Sequence, residues 1–110
     1  MSVHIYRVTV RGFFKELTPE VRAALLDAAD DHDHLRAAFT EVGTFTYDPR
    51  VTAFSFRFQL REQGDDDAPV EVAERAEARA LDLATSYLEE SGIGHGDLRV
   101  QLTDMADMWR

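Results

Sequence analysis

The segment GTFTYDPRVTAFSFRFQLRE, residues 43–62, constrains the fold more than any other stretch of the chain. Its second half alternates with a period of two, Phe54, Phe56, Phe58 and Leu60 against Ser55, Arg57, Gln59 and Arg61. That pattern marks a strand with one face buried under helices and the other open. The first half repeats it, with Phe45 and Tyr47 against Thr44 and Thr46. Between the halves, Asp48-Pro49-Arg50 supplies a turn in which proline already holds the required φ. A hairpin results, and its second strand is expected at the centre of an antiparallel sheet.

The other elements fall into place around it. Residues 3–12 alternate, with Tyr6, Val8 and Val10 on one parity and Arg7, Thr9 and Arg11 on the other, and read as a first strand that Gly12 ends. Thr18-Pro19-Glu20 is a helix start: a hydroxyl for a free amide, a proline at the first helical position, and an acid at the positive end of the dipole. Val21, Ala24, Leu25, Ala28 and Ala29 follow at helical spacing, and the helix is expected to stop near Asp30. Gly43 marks a candidate bulge. After the hairpin, Asp67 is the expected cap of a long helix from Val70 to about Ser91, whose apolar stripe is Ala73, Ala76, Ala80, Leu83, Ala84, Tyr87 and Leu88. Gly92 is the expected left-handed cap with Ile93 its apolar follower, and Leu98, Val100 and Leu102 alternate in a fourth strand.

Strand, helix, strand, strand, helix, strand is the split βαβ order. The expected fold is therefore α+β, ferredoxin-like βαββαβ, a four-stranded antiparallel sheet with two helices on one face. At 110 residues the chain is expected to be one domain over 1–110, with 103–110 as a docking tail. The chain has no cysteine, which excludes disulfides and thiolate metal sites and points to a reducing compartment. With no signal-peptide pattern and no apolar run of bilayer length, it is expected to be cytoplasmic and soluble. The net charge of −9 makes nucleic acid and anionic membranes poor partners.

Against that acidity, the outward parity of the sheet collects Arg7, Arg11, Arg57, Arg61 and Arg99, five of twelve cations, with Thr9, Ser55, Gln59 and Gln101 among them. Like charges facing each other across strands are destabilising, so something negative is expected to offset them. The candidates are a small anionic ligand, a partner surface, or the tail, in which Met105, Met108 and Trp109 share one side of a helical turn and Asp104 and Asp107 supply charge. The tail is expected to fold over the arginine face of its own or a second subunit, with both acids meeting arginines.

Other constellations carry less. Asp30-Asp31-His32-Asp33-His34 holds ligand types for a divalent metal, but five consecutive residues cannot all point inward; a solvated acidic loop is expected, and no metal or other cofactor. No cysteine, no G-x-S-x-G and no phosphate-cradling glycine loop is present. His4 and His95 are expected near one end of the sheet. RNA stacking on an open sheet requires aromatics there, and Tyr6, Phe45, Phe54, Phe56 and Phe58 all have buried parity.

The stretches R-V-T-V-R-G at 7–12, F-x-F-R-F-Q-L-R at 54–61, A-E-R-A-E-A-R-A at 73–80 and T-D-M-A-D-M-W at 103–109 resemble a family of small uncharacterised actinobacterial proteins classed as a domain of unknown function. The resemblance spans nearly the whole chain and implies no activity, substrate or catalytic residue.

The leading expectation is a non-catalytic binding or interaction module, a homodimer or binder of an anionic ligand, using the arginine face and the Met/Trp tail. The alternative is an enzyme similar to the dimeric α+β barrel proteins, of the cofactor-free oxygenase or cyclase type, with Tyr6, His4, Arg57 and His95 as residues to test. An enzyme requires an enclosed pocket with converging polar groups, and a binder only an exposed patch.

Overall fold

A computed structural model describes residues 2–33, 37–65 and 67–106. Its elements are β1 (Ser2–Phe13), α1 (Pro19–Asp27), a 3-10 turn (Ala29–His32), β2 (Thr44–Tyr47), β3 (Ala53–Gly64), α2 (Pro69–Glu90) and β4 (Arg99–Asp104). The strands form one antiparallel sheet in the order β2-β3-β1-β4. This is the strand order of the ferredoxin-like fold.

β1 and β3 form the spine. They pair along their whole length, from Ser2 opposite Gly64 to Phe13 opposite Ala53. β4 covers β1 only from Tyr6 to Arg11, and β2 covers β3 only from Phe54 to Arg57. At the Ser2 end, the ribbon of residues 2–5 and 61–64 therefore has no further strand beside it among the described residues.

The helix-facing side of this spine is apolar because the alternation places it so. Tyr6, Val8, Val10, Phe54, Phe56, Phe58 and Leu60 are all buried there, and α2 lies across β1, β3 and β4. Its contact stripe is Val72, Ala76, Ala80, Ala84 and Leu88, a strict i, i+4 series. The expected stripe is rotated by part of a turn: Val72 joins it, while Leu83 and Tyr87 sit at its exposed margin at 39 % and 41 %. Tyr87 still packs by its ring on Phe45 and Phe56, with centroids 5.0 and 5.5 Å away. Asp67 does not cap this helix; Ala68 occupies the N-cap without a side-chain bond, and Pro69 opens the first turn as expected.

α1 begins as its sequence dictates, with the Thr18 hydroxyl accepting from the Val21 amide at 3.2 Å. It buries only Leu25 and is tied to the sheet where the Tyr47 hydroxyl donates to the Leu25 carbonyl. The acidic stretch after it is not simply a solvated loop. It turns as a 3-10 helix that delivers the His32 ring against Tyr47 and Phe45, with Nδ1 2.8 Å from the Phe45 carbonyl oxygen. At Gly43 φ is +88°, and a side chain there would collide with the Phe58 ring, so glycine is required where the chain enters β2.

Among the described residues no helix is long and apolar enough to cross a membrane.

A cavity at the arginine end of the open sheet face

The side of the sheet away from the helices carries the expected arginine parity, and the register sorts those arginines into separate environments. Arg7 stands opposite Gln59 and Thr9 opposite Arg57. The chain ahead of β2 crosses this part of the face. Thr40 makes a parallel bridge to Phe58, its carbonyl accepting from the Gln59 amide at 2.8 Å. Phe39 next to it lies over the guanidinium groups of Arg7, 4.9 Å from the ring centroid, and Arg57, 5.7 Å away. Arg57 also donates to the Ala37 carbonyl at 2.7 Å, and Arg7 to the Gln59 side chain at 3.2 Å. Cation–π contact and hydrogen bonds occupy this pair within the chain. Arg61 lies nearer the Ser2 end, opposite Ile5.

Arg11 and Arg99 differ. They are direct cross-strand partners at the other end of the sheet, both exposed, and neither has a carboxylate within ion-pair distance among the described residues. The same row continues through Ser55 on β3 to Thr46 on β2, so one line across four strands reads Thr46, Ser55, Arg11, Arg99. This row borders a cavity of about 560 Å³, open to solvent, whose walls also include Phe13, Ala53, Asp48 and Asp97. Thr46, only 1 % exposed, lies at its floor and shares a hydrogen bond with Ser55 at 3.0 Å. Two hydroxyls in one mutual bond use one proton, which leaves the other for a ligand. Phe13, 63 % exposed and opposite Ala53, gives the cavity an apolar wall.

The two acids have unequal duties. Asp48 Oδ1 accepts from the Thr52 and Ala53 amides, both at 2.8 Å, inside the β2–β3 turn. Burial alone would raise its carboxyl, but those backbone donors outweigh it and hold the pKa below the ordinary carboxylate value. Asp97 is exposed at the mouth and has no cationic partner among the described residues.

The remaining candidate residues do not converge here. Asp104 ends β4 opposite Tyr6, on the helix side of the sheet, and its Oδ1 accepts from the Ala106 amide at 2.9 Å. It therefore faces away from the arginines it was expected to meet. Met105 is buried. Asp107, Met108 and Trp109 lie outside the described residues. His4 and His95 are at opposite ends of the spine, not together: His4 pairs with Glu62, while His95 bridges to Phe14 beyond the other end of β1. Tyr6 and His4 stack on the helix side and Arg57 lies on the open side, so these four residues define no common pocket. Burial, reinforced by the charge of Asp104, raises the Tyr6 phenol above its ordinary value. No group of three acidic or histidine side chains able to hold a metal occurs among the described residues.

The fold and this face define a small α+β domain of ferredoxin-like order with a solvent-open cavity on its uncovered sheet. The chain belongs to a family of unknown function, DUF6204, which matches residues 1–109. No curated protein matches it. No solved structure matches it either.

Proposed function

We propose that the protein is a non-catalytic binding module that holds a small anionic ligand between Arg11 and Arg99. The observation that carries this reading is the pairing of two arginines directly opposite each other, with no carboxylate within ion-pair distance among the described residues, at the border of a cavity with an apolar wall. Two like charges 4.5–5.5 Å apart at Cβ repel one another, and a bound anion removes that cost while accepting up to two bidentate forks. The module works in the cytoplasm, consistent with its lack of cysteine, and self-associates as a homodimer.

Calorimetric titration of the wild type with small carboxylates and inorganic phosphate tests this. At least one anion binds, and the Arg11→Gln/Arg99→Gln double variant loses at least tenfold in affinity while melting within a few degrees of wild type. An unchanged affinity in that variant would refute the site.

A second reading draws on the position of the cavity on the uncovered face. A second sheet laid over it would enclose the volume, as an enzyme of the dimeric α+β barrel kind requires. Titration across a range of protein concentrations, with the mass followed by analytical ultracentrifugation, separates the two: an affinity unchanged when the dimer is diluted to monomer favours the simple module.

A further inference from the structure

Within that reading, we infer that the ligand is a monocarboxylate carrying an apolar body, not a phosphorylated or otherwise polyanionic compound. Charge comes first. Among the described residues the cavity is lined by Arg11 and Arg99 and by the carboxylates of Asp48 and Asp97, whose charges sum to zero. The amide donors on Asp48 keep that group ionised at neutral pH, and the chain as a whole carries −9. A single negative charge seated on the arginines gains their near field. Each further charge gains less from them and meets Asp97 at the mouth and the field of the whole chain.

Donor supply points the same way. A phosphate group presents three oxygens, and phosphate sites commonly add the convergent N–H donors of a helix N-terminus or a glycine loop to arginine forks. Here the row is built on strands, whose N–H groups lie in the plane of the sheet and not toward the cavity over its face. What remains is two guanidinium forks and the one hydroxyl proton that the Thr46–Ser55 bond leaves over. A carboxylate, with two oxygens, is saturated by that set.

The body of the ligand follows from the strand repeat. Phe13 and Ala53 stand two residues beyond Arg11 and Ser55 on the same side of the sheet, about 7 Å along the strands. That is the reach of an aromatic ring joined to a carboxylate by a two-carbon chain. Phe13, at 63 % exposure, holds its ring in water unless something apolar lies on it.

The test is calorimetry on the full chain with acetate, 3-phenylpropanoate, inorganic phosphate and phenyl phosphate as probes. The expected result is 3-phenylpropanoate binding about tenfold or more tighter than acetate, and tighter than phenyl phosphate. Phe13→Ala removes the advantage over acetate, and Asp97→Asn narrows the gap to phenyl phosphate. Phenyl phosphate or phosphate binding more tightly than 3-phenylpropanoate overturns the ligand class and leaves the binding module standing. Equal affinity for acetate and 3-phenylpropanoate overturns the apolar body. Heat from none of the four overturns the binding reading itself.

Discussion

Asp48 closes the turn between β2 and β3. One carboxylate oxygen takes both the Thr52 and Ala53 amides, while Val51 just before them is held at φ +56°, a left-handed conformation that a β-branched residue rarely adopts. The strain at Val51 is sustained because its side chain is 3 % exposed and anchored in the core. Asp48→Ala is expected to cost about 1–2 kcal/mol in urea unfolding at pH 7, as for other short polar side chains that cap free backbone amides. The sign of its pH dependence is fixed by the depressed folded-state pKa. The charge-dependent part of the contribution is complete above the unfolded value of about 3.9 and is lost as pH falls through the folded one. Wild type and variant should therefore draw together as pH falls through that depressed value, and a gap that widened in acid would contradict this account. Proline in the sequence marked the bend, but not the strained valine, because nothing in Arg50-Val51-Thr52 calls for a positive φ. That conformation is imposed by packing.

Among the elements, α2 depends most on small side chains. Ala76, Ala80 and Ala84 are wholly buried between helix and sheet. Ala80→Leu should force the two apart and cost about 1–3 kcal/mol by chemical denaturation; a neutral result would mean slack that the contacts do not show. The strands were the most readable elements, since a period of two assigns every residue to a face without knowledge of its neighbours. The helix stripe was readable only to within part of a turn: Ala73 and Val72 are both apolar, and which one meets the sheet depends on the helix rotation. The strap of residues 37–43 was not readable at all. It has no periodicity, so Phe39 gave no sign that it would lie over Arg7 and Arg57. The same limit applied to the cavity. Five arginines of one parity were visible in the sequence, but their division into a covered pair and an open pair depends on strand register and on that strap. Asp104 illustrates the converse, since strand parity alone would have placed it beside Tyr6.

At the scale of the molecule, burial is unevenly shared. β1, β3 and α2 hold nearly all of the fully buried side chains, whereas α1 contributes Leu25 alone. Hydrogen exchange should show amides in the paired middle of β1 and β3 opening only with global unfolding, and those of α1 exchanging through a cheaper local opening. Equal protection would mean that α1 is tied down by more than the Tyr47 bond and one leucine. The overhanging ribbon of residues 2–5 and 61–64 has a separate implication for engineering. It lies about 30 Å from Arg11 and Phe13, at two strand residues per 7 Å or so, and among the described residues no outer strand leans on it. Fusions and immobilisation handles belong at that terminus, because a load applied there is carried by a single ladder and leaves the recognition end unstressed.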